Sequence, residues 1–177
     1  DRLIFSTNGA FAAVKGDGSV VTWGRAGSGG DSRAVQEQLS GGDVQQIFST
    51  RCAFAALKRD GSVVTWGDPS RGGDSSGVAW RLRKSVKALH ANNIAFAAIK
   101  EEGSVVTWGD PSASGASFHA VAECLSDRVT GLLANNYAFA AVKEEGMVIT
   151  WGNSAYGGDS SLVAQDLERG VCMLQAS

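Results

Sequence analysis

One motif of fifteen residues occurs four times along this chain. The copies are AFAAVKGDGSVVTWG at 10–24, AFAALKRDGSVVTWG at 53–67, AFAAIKEEGSVVTWG at 95–109 and AFAAVKEEGMVITWG at 138–152. The tryptophans that mark them are 43, 42 and 43 residues apart by subtraction of their numbers: Trp23, Trp66, Trp108 and Trp151. Self-similarity at a fixed period of this size is typical of repeat architectures, so we expect four copies of one supersecondary unit.

Each unit is predicted to contain a β-hairpin. In the second copy, Ala53–Lys58 places apolar side chains on both faces of an extended chain. Arg59–Gly61 supplies an Asp-Gly turn, and Ser62–Trp66 is rich in β-branched residues. Because both faces of the hairpin are apolar, we expect its sheet to lie between two neighbouring sheets.

A further strand is predicted before each hairpin, and the segment after each hairpin is ambiguous. Short apolar runs occur at 3–5, 44–48, 86–89 and 129–133. Each tryptophan is followed by a glycine-rich turn and a mixed segment, such as Asp74–Arg83, that fits a fourth strand or a short helix. Three or four short strands in about 42 residues match the blade of a β-propeller. The sequence therefore predicts an all-β fold, a β-propeller or propeller segment of four mostly antiparallel blades.

We expect a single domain over 1–177. The repeats fall approximately at 1–43, 44–85, 86–128 and 129–170. Residues 171–177 are either the start of a fifth repeat or a strand that closes a small ring against the first blade. Of these alternatives, the segment of a longer propeller is the one we favour, because a partial ring leaves blade faces uncovered.

The repeat resembles that of the regulator of chromosome condensation family. The similarity lies in the small-apolar strand, the Asp-Gly turn, the Val-Val-Thr-Trp-Gly strand and a glycine pair such as Gly72-Gly73. This variant is similar to repeats of uncharacterised bacterial and algal proteins. The resemblance implies a propeller fold. It does not imply nucleotide exchange on a small GTPase, which needs an inserted wedge, and the even repeat spacing leaves no room for one. The family's histidine before the hairpin is also replaced here, by Asn8, Arg51, Asn93 and Asn136.

Neither the composition nor the titratable residues indicate a catalytic, metal-binding or nucleic-acid-binding site. The formal net charge is −2, which offers no broad positive field for nucleic acid. His90 and His119 lie in different repeats without metal-ligand spacing, and each turn contributes a single carboxylate. We therefore predict no enzyme activity, no cofactor and no metal.

The cysteines and the hydropathy give weak information on the environment. The three cysteines are an odd number without a CxxC pair, which predicts small buried side chains and favours a reducing, intracellular or organellar compartment. No run approaches the ~20 apolar residues that span a bilayer. The compartment itself stays unknown.

Binding is expected where the copies differ, since the identical parts are used in packing. The turns after the tryptophans differ, and in a propeller they align on one rim. Arg25, Arg71 and Tyr156 would lie there, and arginine and tyrosine are favoured at interfaces.

A second variable region follows these turns. It contains Trp80, Arg81 and Arg83, with Phe118 at the matching place in the next copy. Trp80 is the only tryptophan outside the motif, and we predict it as a contact residue.

These features predict a non-catalytic protein-binding or scaffolding propeller, part of a longer chain or a subunit of a larger assembly. One alternative is a propeller that binds a sugar or another small ligand through aromatic rims. Another is a peripheral stabilising subunit of an organellar membrane complex, for example an algal photosynthetic one. The expected partners are proteins and not nucleic acids, with peripheral membrane-complex association left open.

Overall fold

The computed structural model describes residues 4–114 and 116–175, without the side chains of 114, 116 and 117. Twelve strands are present in this part of the chain. They are β1 Ile4–Ser6, β2 Ala10–Val14, β3 Val20–Gly24, β4 Val44–Ser49, β5 Ala53–Lys58, β6 Val63–Gly67, β7 Val86–Ala91, β8 Ala95–Lys100, β9 Val105–Gly109, β10 Val129–Ala134, β11 Ala138–Lys143 and β12 Val148–Gly152.

The strands form four separate three-stranded antiparallel sheets in chain order. We name them blade 1 (β1–β3), blade 2 (β4–β6), blade 3 (β7–β9) and blade 4 (β10–β12). The middle strand of each blade pairs with the outer one in the same register, so that Phe54 faces Trp66 and its counterparts face theirs. The hairpin turn needs a glycine because its backbone is left-handed there, as at Gly61 with φ of 77°. The predicted four-blade propeller segment is confirmed.

The segment after each hairpin is helical, which resolves the ambiguity of the sequence. Short 3₁₀ helices occur at Ala26–Ser28, Arg33–Val35, Pro69–Arg71, Ser76–Val78, Ser154–Tyr156 and Ser161–Leu167. Single α-helical turns occur at α1 Gln36–Leu39, α2 Ala79–Leu82, α3 Pro111–Ser114 and α4 Ala116–Val121.

Side-chain bonds to the backbone favour these helical turns over a fourth strand. Asp68 accepts from the amide of Ser70 at 2.9 Å, and Asp74 accepts from the amide of Ser76 at 2.8 Å. Such local bonds satisfy amides that a sheet ladder would otherwise use.

Three apolar clusters lie between successive blades. The one between blades 1 and 2 contains Ala12 and Val20 on one side, and Phe54 and Trp66 on the other. Equivalent residues fill the space between blades 2 and 3 and between blades 3 and 4. The two faces of β5 therefore belong to two different clusters, as its alternating pattern predicts.

Contact between blades has a direction. The indole Nε1–H of Trp66 donates to the carbonyl of Gly29 in the preceding blade at 3.0 Å, and that of Trp108 donates to Gly72 at 3.1 Å. A Cβ at Gly29 would lie 2.5 Å from the ring of Phe54. The aromatic groups of blades 2 and 3 thus pack against the preceding blade. The contact surface on that preceding blade, 1 or 2, is its glycine turn.

The first and last blades each have one uncovered face. The repeat tryptophans are buried as predicted in blades 2, 3 and 4, whereas Trp23 is 45% exposed because none of the four described blades covers it. At the other end, the amide of Val171 donates to Gly146 at 3.1 Å, as Val86 does to Gly61 at 2.9 Å. Residues 171–175 thus begin along the path of a further inner strand without joining a sheet.

The expectation that the cysteines are buried is wrong. Cys52 is half-buried, and Cys124 and Cys172 are exposed. Cys124 lies in a peripheral segment and Cys172 in the stretch after the last one, and neither belongs to a strand or to an inter-blade cluster. No helix in 4–114 or 116–175 has the length and hydropathy needed to cross a membrane.

Candidate functional site

Two turns meet at the same end of each blade, and we call them the upper turns. One precedes the middle strand and the other follows the tryptophan. In blade 2 the hydroxyl of Thr50 donates to the carbonyl of Arg71 at 2.9 Å, and in blade 4 the amide group of Asn135 donates to the carbonyl of Tyr156 at 2.7 Å. These bonds fix the variable turn after the tryptophan against the turn before the hairpin.

Main-chain hydrogen bonds join the upper turns of all four blades. The amide of Asn8 donates to Arg51 at 2.8 Å, that of Arg51 to Asn93 at 3.0 Å, and that of Asn93 to Asn136 at 3.1 Å. The positions where the resembled family has histidine therefore carry a continuous arc of backbone bonds. The arc holds side chains from different blades at fixed separations.

Arg51 of this arc and two tyrosines of the blade 4 upper turns, Tyr137 and Tyr156, form what we call the tyrosine–arginine cluster. The rings of Tyr137 and Tyr156 are 4.6 Å apart with an angle of 56°. The guanidinium of Arg51 lies 5.6 Å from the centroid of Tyr137, within cation–π distance. Tyr156 is 48% exposed and Arg51 is exposed, so the cluster presents aromatic, phenolic and cationic groups to solvent together.

The three residues predicted on the rim all lie at the upper end of the blades. Tyr156 belongs to the cluster. Arg71 is half-buried, and its carbonyl is held by Thr50. Arg25 is exposed, and its amide donates to Gly9 at 2.7 Å. No described hydrogen bond or ring contact joins Arg25 or Arg71 to Tyr156.

The second predicted region lies on the outer perimeter of the propeller. Trp80, in α2, is 71% exposed. The guanidinium of Arg81 is 5.8 Å from its ring and also donates to Ser104 of the next blade at 3.3 Å. Arg83 is exposed and lines a groove of about 480 Å³ with Lys58 and others. These residues are far along the blade from the upper turns, so they form a separate surface.

Phe118 is placed differently from the other predicted contact residues. It is half-buried, packs against the core between blades 3 and 4, and meets the ring of Trp151 edge-on at 5.8 Å. Phe118 is therefore used in packing between blades 3 and 4.

One lysine position of the motif, at the end of the middle strand in blades 2, 3 and 4, was not predicted to have a role. Lys100 is 8% exposed and donates to the carbonyls of Arg81 at 2.7 Å and of Lys84. Lys143 donates to Cys124 at 2.6 Å, and Lys58 pairs with Asp43 at 3.0 Å. Lys58, Lys100 and Lys143 thus each fasten the peripheral segment of the preceding blade. Its recurrence at one motif position was the available signal.

The carboxyl groups of Asp17 and Asp31 are perturbed by hydrogen bonds within their own turns. The hydroxyl and amide of Ser19 donate to Asp17 and lower the pKa of its carboxyl to about 2. The bonds from Arg33 likewise lower the pKa of Asp31 to about 2. Burial lowers the pKa of His90. Among the described residues, no group of three or more His, Cys, Asp or Glu side chains is placed to hold a metal ion.

Comparison with known proteins identifies the fold. No protein-family model matches the chain, and no curated protein matches it. Solved structures do match. Prp20p from Saccharomyces cerevisiae has a TM-score of 0.60 and 16% identity over 87% of this chain and 44% of its own. Human WBSCR16 has a TM-score of 0.56 and 16% identity over 84% of this chain and 47% of its own.

A receptor ectodomain has the same architecture. The CRINKLY ectodomain of the Arabidopsis thaliana receptor kinase ACR4 has a TM-score of 0.51 and 17% identity over 84% of this chain and 49% of its own. The chain therefore spans about half the length of these propellers or less. At such identities the likeness defines the class, a β-propeller with one repeat per blade, and nothing finer.

Proposed function

We propose that this chain is a non-catalytic protein-binding propeller and that the tyrosine–arginine cluster contacts the partner. The observation that carries the proposal is that residues from separate repeats converge there on a rigid backbone arc. Tyrosine and arginine are enriched among residues that dominate binding energy, and a preorganised surface loses little entropy on association. The motif residues themselves are used between the blades.

A propeller of similar structure supports a protein as the ligand. Prp20p has binding properties toward Gsp1p and histones, and a second solved structure contains Kap60 bound to the same yeast protein. We also infer, from the repeat motif and this likeness, that the blades are a variant of the regulator of chromosome condensation repeat. Sugar binding and a place in an organellar membrane complex stay predictions.

Affinity capture with matched variants tests the proposal. The full chain serves as bait in its wild-type form, as Arg51→Ala with Tyr156→Ala, and as the control Arg59→Ala. Arg59 is an exposed arginine in the hairpin turn at the opposite end of blade 2. We expect a stoichiometric protein that the wild type and the control retain, with at least about 30-fold weaker binding to the double variant, the equivalent of a loss of roughly 2 kcal/mol.

Two outcomes would overturn the assignment. One is the absence of any stoichiometric protein partner for the wild-type chain. The other is a partner that the double variant binds as tightly as the control does. Arg51 and Tyr156 are exposed, so their replacement should leave the inter-blade clusters intact. Circular dichroism of each variant verifies that it is folded.

A further inference from the structure

We propose that the outer edge of blade 2 binds an extended peptide of another protein, which adds to the blade as a fourth strand. The site is the groove of about 480 Å³ that Arg83 lines, and its floor is formed by residues of β6. We call it the edge groove. It lies between the peripheral segments of blades 1 and 2, away from the tyrosine–arginine cluster. The inference does not rest on the partner proposed above.

Strand β6 has a free edge. It pairs with β5 on one side only, because each of the described sheets has three strands. At the hairpin turn the amide of Lys58 donates to the carbonyl of Ser62 at 2.9 Å. Bonded and non-bonded pairs alternate along an antiparallel ladder, so the main-chain groups of every second residue after Ser62 point away from β5. Val63 and Thr65 are these residues.

Blade 3 shows what kind of group the outward amides accept as a partner. Val105 has the same place in blade 3 as Val63 has in blade 2, and its amide donates to the carbonyl of Leu125 at 2.9 Å. Within residues 4–114 and 116–175, the amides of Val63 and Thr65 have no hydrogen-bond partner. The edge of blade 2 is thus complementary to main-chain carbonyls, and an extended peptide presents these at the spacing of a strand.

The peripheral segment of blade 2 contacts β6 through side chains and leaves room beside the strand. The hydroxyl of Thr65 donates to the carbonyl of Gly73 at 3.1 Å and lies 2.9 Å from the hydroxyl of Ser75. The groove extends from this contact to the hairpin turn, where Lys58 lines it. Its volume of about 480 Å³ lies within the range of about 300–1,000 Å³ that is typical of ligand pockets.

The walls of the edge groove suit side chains on both faces of an added strand. Val35 and Gln38 come from the peripheral segment of blade 1, and Ala79 and Leu82 come from α2. The first segment packs into the cluster between blades 1 and 2 and the second into the cluster between blades 2 and 3, so they flank β6 on opposite faces. Successive side chains of a strand point to opposite faces, so apolar residues of the peptide contact both walls.

An arginine lies at the hairpin-turn end of the groove. Arg83 is exposed and forms no ion pair with a carboxylate in the described part of the chain. Asp60 and Asp74 also line the groove, but each accepts from a serine amide of its own turn, at 2.9 and 2.8 Å. Lys58 is paired with Asp43 at 3.0 Å. Arg83 therefore favours a peptide with an acidic residue at this end.

Selection from a phage-displayed library of random decapeptides tests the proposal, with the full chain as bait. Ala79→Phe fills the groove, and Val63→Pro removes an outward amide that has no bond to β5. Trp80→Ala is the matched control, because Trp80 follows Ala79 in α2, is 71% exposed and does not line the groove. We expect peptides with an acidic residue that bind the wild type and the control alike. Either groove variant should bind them at least about 10-fold more weakly.

N-methylation of a selected peptide distinguishes main-chain pairing from contacts made by side chains alone. In an added strand only every second amide faces β6. Methylation at those positions is expected to abolish binding, and methylation at the intervening positions should leave the affinity nearly unchanged. Arg83→Glu should weaken the binding of the same peptides by repelling their acidic residue.

The proposal fails if the wild type enriches no peptide over the Ala79→Phe chain, or if methylation acts equally at all positions of the peptide. Equal binding to the wild type and to folded Val63→Pro would also contradict it. Circular dichroism verifies the fold of each variant, and the methylated peptides test the pairing on the wild-type chain alone. The variant with Arg51→Ala and Tyr156→Ala should bind the peptide normally, which separates this result from the partner of the tyrosine–arginine cluster.

Discussion

Replacing Trp66 by phenylalanine tests the contact that joins one blade to the next. The substitution keeps an aromatic ring beside Phe54 but removes the Nε1–H that donates to Gly29 at 3.0 Å. The carbonyl of Gly29 then stays buried without this partner, which costs about 1–3 kcal/mol. The smaller ring also leaves space in the cluster, at roughly 1 kcal/mol more. We expect the free energy of unfolding to fall by about 2–4 kcal/mol in total.

The chain provides its own control for this experiment. Trp23 belongs to the same motif but is 45% exposed, and no described hydrogen bond involves its indole. Trp23→Phe should therefore change stability by no more than about 0.5 kcal/mol, as for other surface substitutions. The comparison must be made at a concentration where sedimentation shows monomers, because self-association would stabilise the folded state by mass action.

Urea unfolding followed by far-ultraviolet circular dichroism measures both variants without relying on tryptophan fluorescence. In a thermal scan the loss at Trp66 corresponds to a decrease in Tm of roughly 5–15 °C for a chain of this size. Equal destabilisation by the two substitutions in the monomer, or a neutral Trp66→Phe, would refute the idea that Trp66 stabilises the fold through its contact with the glycine turn of the preceding blade.

Three further predictions follow from the same contacts. Lys100→Met leaves two carbonyls of the peripheral segment without their charged donor and should lower the free energy of unfolding by about 2–4 kcal/mol. Lys15→Met should leave the free energy of unfolding of the monomer nearly unchanged, and urea unfolding compares the two variants. Gly72→Ala forces a methyl group to 2.5 Å from a phenylalanine ring at φ of 96° and should cost about 2–5 kcal/mol in the same assay. The pKa of Asp17 is lowered from 3.8 to about 2 by bonds from Ser19, so its contribution to stability is present above pH 3.8 and is lost as the pH falls through about 2; a carboxyl carbon titration by NMR with its midpoint at the ordinary value would contradict this.

Local sequence patterns were sufficient to predict the blades. The alternation in Ala53–Lys58, the Asp-Gly turn and the β-branched strand ending at Trp66 each determine structure within a few residues, and all agree. The repeat spacing then implies that successive blades pack alike. For the peripheral segments the sequence left a fourth strand and a short helix both open, because α2 has only four residues, too few for a periodic pattern.

Features that depend on the neighbouring blade were not predictable from the motif. Trp23 and Trp66 stand in nearly the same local sequence, yet one is exposed and the other buried, because only the second has a blade before it. The contact between Arg51 and Tyr137 joins blades 2 and 4 across an intervening turn. Its formation depends on the curvature of the whole arc. The alignment of equivalent turns predicted that Arg25 and Arg71 lie at the upper end of the blades. The same alignment gave no indication of the contact between Arg51 and Tyr137.

Because the peripheral segments are helical and lie outside the sheets, a repeat can change in length without changing the pairing of its strands. Between the tryptophan and the leucine near the end of the peripheral segment, blades 1, 2 and 4 span 16 positions, by subtraction of 23 from 39, 66 from 82 and 151 from 167, whereas blade 3 spans 17, from 108 to 125. Blade 3 nevertheless keeps the same pairing of its strands as the others. An added residue is therefore absorbed outside the ladder of backbone bonds. The circumference can diverge in length and side chains from one repeat to the next while the radial framework stays constant.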